Sequence, residues 1–307
     1  MLSRREFLHR CSLALAATTC LPAFASAAKN GPLGKPIGIQ LYTVREETSR
    51  DLSGTLSALS NIGFREVELA GYYGKSAREL RTLLGDLNLK PTSAHQGLRD
   101  LLEDTPRKVE YVAELGVKHL VIPFPAVPDN RFDNQPQGAT QTIANSMTLD
   151  DWRWIAEQLN KIGAVAKPAG ITVGYHNHNM EFRTIDGVVA FDKLIEWTDP
   201  SLVTIELDVA WAVAAGFDPI AYLTKHAQRI SLLHIKDVKH GVPIVVDEVK
   251  TTTTELGTGQ VDWRKFFAAC DASRIKHYFY EQEHWERPAL DSARISYDYL
   301  SETLARG

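Results

Sequence analysis

Short apolar runs rich in Val, Ile, Leu and Tyr recur along the chain, each followed by a longer stretch whose apolar positions repeat with helical period. The short runs predict strands over residues 37–42, 66–70, 90–95, 118–123, 171–176, 203–208, 229–235 and 277–281. Helical periods lie between them at 53–62, 77–87 and 107–115, and again at 149–169, where Asp150 is the expected cap and Trp152, Ile155 and Leu159 share a face. A long polar segment, 125–147, follows the fourth strand.

Strands alternating with helices imply right-handed βαβ crossovers and a parallel sheet. Eight such units in one composition zone, without an internal linker, predict a single α/β domain over residues 35–305, a closed (β/α)8 TIM barrel. The rival is an open, doubly wound sheet, which places a glycine-rich nucleotide turn after its first strand. Here that position reads Tyr42-Thr43-Val44-Arg45-Glu46 and has no glycine.

A barrel gathers its working residues at the C-terminal ends of the strands. Those ends carry Gln40, Glu68, His95, His176 with His178, Asp208, His234 with Lys236, and Glu281 with Glu283. Buried parallel strands are ordinarily near-continuous Val, Ile and Leu, so polar residues collecting at one end need a cause. Side chains at i and i+2 share a face. If those faces open into the barrel mouth, His176, Asp208, His234 and Glu281 converge from four consecutive strands. Two imidazoles and two carboxylates form a mixed N/O set for one divalent ion: Mn, Co, Fe or Zn, and Mg less well. Such an ion would act as a Lewis acid on a substrate carbonyl and hydroxyl.

Plainer readings stand beside this one. His176-Asn177-His178 fits a strand-end turn with one hydrogen-bonded histidine. Asp208 fits a helix cap near Trp211-Ala212. Glu281 and Glu283 fit solvated loop carboxylates, Lys236-Asp237 a surface ion pair, and Glu206 a supporting place one layer deeper. Taken jointly, these readings leave four successive ligand-bearing strand ends unexplained.

Several segments in order resemble the sugar phosphate isomerase/epimerase family with the xylose-isomerase-like barrel. They are Ile37-Gly38-Ile39-Gln40-Leu41-Tyr42, Val67-Glu68-Leu69-Ala70-Gly71, Gly174-Tyr175-His176-Asn177-His178-Asn179-Met180-Glu181-Phe182, Glu206-Leu207-Asp208-Val209-Ala210-Trp211, Leu233-His234-Ile235-Lys236-Asp237, Glu255-Leu256-Gly257-Thr258-Gly259 and Tyr280-Glu281-Gln282-Glu283. The resemblance implies a divalent metal on strands five to eight, with Asp208, His234 and Glu281 as ligands. On strand five the sugar epimerases carry a glutamate, where this chain presents His176. In them the strand-five and strand-eight glutamates exchange the proton, so the two-carboxylate relay is altered here unless Glu181 supplies the second carboxylate. The His-Asn-His variant looks closer to relatives acting as dehydratases or lyases on keto-inositols and 3-keto-glycosides. Glu281, His176 and Lys236 are the expected catalytic groups. Glu68, His95 and His178 are expected at sugar hydroxyls, and Trp211, Tyr42 and Trp285 at a sugar ring. Gly257 and Gly259 mark an expected flexible turn.

The 307 residues hold 34 basic and 38 acidic side chains, a formal charge of −4. That sign argues against nucleic acid as the main partner, and a multi-metal nuclease is disfavoured with it. At the N-terminus, Ser3-Arg4-Arg5-Glu6-Phe7-Leu8 precedes an apolar run from Cys11 to Phe24, with small residues at Ala23, Ala25 and Ala27. This is the arrangement of a twin-arginine leader over residues 1–27, implying the twin-arginine export machinery as partner and a periplasmic location. Without those residues the balance is 31 basic to 37 acidic, a net of −6. Cys11 and Cys20 fall in the leader, leaving Cys270 as an expected buried, inert thiol. No glycine-rich phosphate cradle is evident, and export suits an unphosphorylated sugar. The expectation is a metal-dependent isomerase or epimerase moving a proton beside a sugar carbonyl. A keto-sugar lyase or dehydratase is the alternative, and a noncatalytic periplasmic sugar-binding protein the reading from another class. Homo-oligomerisation stays open.

Overall fold

A computed structural model describes residues 29–129, 145–241 and 252–305. The leader expected over residues 1–27, and most of the polar segment after the fourth strand, lie outside the described residues.

Eight parallel strands close into a barrel in the order β1-β8-β7-β6-β5-β4-β3-β2. They are β1 (Gly38–Gln40), β2 (Glu66–Leu69), β3 (Lys90–His95), β4 (His119–Ile122), β5 (Thr172–His176), β6 (Val203–Asp208), β7 (Ile230–Ile235) and β8 (His277–Tyr280). Each lies where the apolar pattern places it, within one residue at every end but one. The first is the exception. It stops at Gln40 because the Gln40 side chain accepts a hydrogen bond from Tyr42 N and caps a 3-10 turn, Leu41–Val44. The apolar pattern runs on through Leu41, but the backbone has already turned.

Period two sorts the strand residues. Ile39, Val67, Leu69, Leu120, Ile122, Val173, Tyr175, Ile205, Leu207, Leu233, Ile235, Tyr278 and Tyr280 belong to the large core shared with the helices. Among the described residues, Val121, Leu232 and Phe279 form a separate apolar cluster inside the barrel. Glycine makes room for it. A Cβ at Gly38 would lie 2.6 Å from the Phe279 ring, and one at Gly174 would lie 2.9 Å from Val121. This plug separates a lower polar layer, where His277 Nδ1 meets Glu66 Oε2 at 2.6 Å, from the polar layer that forms the upper end.

The longest helix, Leu149–Ala166, buries Trp152, Ile155 and Leu159 as expected. Its cap is Thr148, not Asp150: the Thr148 side chain accepts from Asp151 N while the Asp151 carboxylate accepts from Thr148 N, a reciprocal capping box. Cys270 ends the helix Trp263–Ala269, partly buried, and burial pushes its thiol up to about 12, which keeps it unreactive.

Candidate metal and substrate site

The strand registers put His176 level with Glu206 and Asp208 level with His234, so inward-facing side chains stack in layers above the plug. The deeper layer holds Gln40, Glu68, His95 and Glu206. Gln40 Nε2 donates to Glu68 Oε2 at 2.8 Å. The same oxygen meets His234 Nε2 at 2.5 Å and His95 Nε2 at 3.1 Å. Glu206 Oε2 lies 2.9 Å from His95, and 3.3 Å from both His176 Nδ1 and His234 Nε2. Glu206 therefore takes the supporting place one layer down. Burial opposes charge on His95, but Glu68 and Glu206 override it and push its pKa up to about 9. Against burial, His95 and His234 hold Glu68 well below the ordinary carboxylate range. Burial, and then Glu68, push Glu206 up to about 7.

The upper layer carries the four expected ligands. Asp208 Oδ1 accepts from Trp211 N at 2.9 Å and so caps the helix Val209–Ala214. Its Oδ2 is buried and faces the Lys236 ammonium at 3.0 Å. Asp208 Oδ2, His234 Nδ1 and Glu281 Oε2 lie within 4.8 Å of one another, and His176 Nε2 lies 4.0 Å from Asp208 Oδ2. Asn177, facing away, accepts from Asp208 N at 3.0 Å and ties β5 to β6 at this level. Burial, then His234 and His178, hold His176 well below its usual pKa, leaving the neutral imidazole that binds metals. Burial disfavours charge on Glu281, but Lys236 and His234 keep it ionised. A buried carboxylate oxygen, a neutral imidazole and an ionised carboxylate suit a divalent cation. Among the described residues a second ligand-capable set, His95, His176, Glu206 and His234, lies beneath and shares two of its members.

Lys236 is not half of a surface ion pair. Its buried ammonium lies 3.0 Å from Asp208 Oδ2, 2.8 Å from Glu281 Oε2 and 2.7 Å from Glu283 Oε1. Asp237 is buried as well and accepts from Val238 N, Gly257 N, Gly259 N, Val261 N and Trp263 Nε1 at 2.9–3.2 Å. The Gly257–Gly259 turn is thereby pinned rather than loose, and a Cβ at Gly259 would fall 2.2 Å from the Asp237 carboxylate.

Above these layers opens a cavity of about 360 Å³ lined by Tyr42, Ala70, His95, Pro123, Phe124, His176, His178, Trp211, Glu281 and Glu283. Its walls thus include His95, His178 and Trp211 from the expected substrate contacts. Glu68 is different: it is wholly buried beneath, occupied by Gln40 and two imidazoles. Lys236 likewise stands behind the wall that Glu281 and Glu283 form. Trp285 packs on the Arg45 guanidinium, 4.5 Å from the ring centre. Glu181 does not supply a second carboxylate. It accepts from Tyr175 OH at 2.9 Å and from His178 N at 2.8 Å, bracing the β5 loop from the outward-facing side of the strand. Phe124, Pro123 and Ala70 were not expected in the wall. Phe124 stands two residues past β4, so the strand-end criterion applied to that strand would have found it.

Residues 56–303 match the family described as the xylose isomerase-like TIM barrel. The chain is 28% identical over 242 residues to an inosose dehydratase of Clostridium beijerinckii, covering 72% of this chain and 78% of that one. Two solved sugar phosphate isomerases/epimerases from Parabacteroides distasonis share its fold. One has TM-score 0.73 and 24% identity, covering 93% of this chain and 100% of that one. The other has TM-score 0.70 and 26% identity, covering 87% and 97%.

Proposed function

The chain belongs to the xylose isomerase-like TIM barrel family, and from that premise we propose that it is a divalent-metal-dependent enzyme that moves a proton on the carbon beside a sugar carbonyl. The observation that carries this is the convergence of Asp208, His234 and Glu281 from three neighbouring strands, with His176 of the adjoining fourth 4.0 Å from Asp208 Oδ2. These four residues would hold the ion. His176 and Glu281 also line the cavity, and the upper set brings two carboxylates against one in the lower set, which favours the upper set. Bound there, a divalent ion would supply the Lewis acidity that makes the C–H beside a carbonyl acidic.

The chain's own groups do the rest. Glu281, kept ionised in the cavity wall, is placed to accept the carbon-bound proton. Lys236 fixes Glu281 and Glu283 side by side with one ammonium and offsets the charge of Asp208. His176 holds the strand-five position, with His95 and His178 at the sugar hydroxyls. Return of the proton to the opposite face gives an epimer, and its return to the neighbouring carbon gives an isomer. Loss of a group one carbon further on is elimination. The inosose dehydratase relatives favour elimination as the second outcome. Among the described residues lining the cavity none is Lys or Arg, in keeping with an unphosphorylated sugar. Such a sugar agrees with export to the periplasm through the twin-arginine machinery, which remains part of this proposal.

Incubation of metal-loaded protein in D₂O with a ketose and with a 3-keto-glucoside, followed by NMR, tests it. Deuterium beside the carbonyl with the skeleton intact indicates isomerase or epimerase chemistry. Loss of water or aglycone indicates elimination. No exchange with either, together with sugar binding that survives a chelator, would leave a noncatalytic binding protein and refute the proposal.

A further inference from the structure

Five large apolar side chains are exposed among the described residues, and the two aromatic ones, Tyr42 (46%) and Phe124 (42%), both line the cavity. Exposed aliphatic side chains are unremarkable on any surface, but aromatic rings left wet at the mouth of a polar cavity are not. Tyr42 follows β1 and Phe124 follows β4, so the two rings stand three staves apart around the rim.

Each ring is held. Phe124 stacks on the His178 imidazole, with ring centres 4.2 Å apart and planes 22° apart. Tyr42 carries the Arg45 guanidinium 4.4 Å from its centre, and Arg45 is itself anchored on the Tyr42 and Glu283 carbonyls. A ring backed on one side and still over two-fifths exposed presents its other side to solvent. Rings held this way give up little conformational freedom when a flat ligand settles on them. The groups suited to a polyhydroxy keto-sugar, His95, His176, His178 and Glu281, line the same cavity, with His178 bordering the Phe124 ring. At about 360 Å³ the cavity falls within the range that houses ligands larger than one six-membered ring.

We propose that Tyr42 and Phe124 form a second subsite for the group attached to the reacting sugar, so that the substrate is a keto-glycoside with a flat, apolar-faced aglycone and not a free keto-inositol or monosaccharide. This rests on the keto-sugar function proposed above and names its substrate class.

The test compares phenyl 3-keto-glucoside, methyl 3-keto-glucoside and a free keto-inositol with metal-loaded protein, reading deuterium uptake and kcat/KM. The phenyl glycoside should exceed the methyl glycoside by roughly threefold to tenfold, the worth of one aromatic stacking contact. In Phe124→Ala and in Tyr42→Ala the phenyl-to-methyl ratio should fall toward unity, and in Phe124→Tyr it should be retained. The ratio is read within each variant, so a general loss of activity does not blur it. Equal wild-type values for the phenyl and methyl glycosides would overturn the subsite while leaving the proton chemistry standing. So would an unchanged ratio in both alanine variants, or an effect of those variants confined to self-association. Absence of deuterium uptake from all three substrates would instead count against the function itself.

Discussion

Asp208 divides its two carboxylate oxygens between a helix cap and the inward layer of the barrel. Oδ1 closes the turn on Trp211 N, and Oδ2 is left facing His176, His234 and Lys236. Residue type and spacing could not resolve this, since either use asks for the same residue at the same place. Lys236-Asp237 misled for another reason. Adjacent opposite charges ordinarily mean a solvated pair, yet alternation along the strand sends Lys236 inward to three carboxylates and Asp237 outward to five N–H donors. Replacing Asp237 by Ala strands those donors in a buried turn. We expect Asp237→Ala to lose roughly 3 kcal/mol or more in denaturant unfolding, since each orphaned buried donor costs on the order of 1–3 kcal/mol and water can satisfy some of them. A loss under about 0.5 kcal/mol, the ordinary range for a surface substitution, would show that the turn does not depend on this carboxylate.

Among the elements, the strands were legible because period two and short length are written directly in the side chains. Their ends were not. Gln40 stops β1 by accepting from Tyr42 N inside an apolar run that continues through Leu41, and Thr148 starts the long helix with Asp151 where Asp150 is an equivalent polar neighbour. The loop after β5 carries a pH dependence of its own. Burial raises Glu181 from 4.5 to about 7, the bonds from Tyr175 and His178 N offsetting only part of it. A carboxyl with a raised folded-state pKa binds its proton in the folded chain where the unfolded chain has released it. Stability from this group is thus fully present below about 4.5, declines as pH rises toward about 7, and is lost above that. Glu181→Gln removes the titration. Wild type minus variant, measured as melting temperature, should therefore become less favourable between pH 5 and pH 8. A difference that stays level or grows more favourable with pH would contradict a buried, proton-holding Glu181.

For the molecule as a whole, eight alternating units and the missing nucleotide turn were enough to name a closed barrel. The internal plug was not legible, because Gly38 matters through Phe279, which lies on the last strand, hundreds of residues away in sequence but adjacent in the closed sheet. Closure also explains how a site can be assembled from β5 through β8: neighbours in sequence order are neighbours in space, and one inward layer collects a side chain from each. Elemental analysis of purified protein, compared with His234→Ala and Asp208→Ala, puts this most directly to the test. The account predicts one divalent ion per wild-type chain and none in either variant, with deuterium exchange lost alongside. A stoichiometric ion retained in either variant would contradict it.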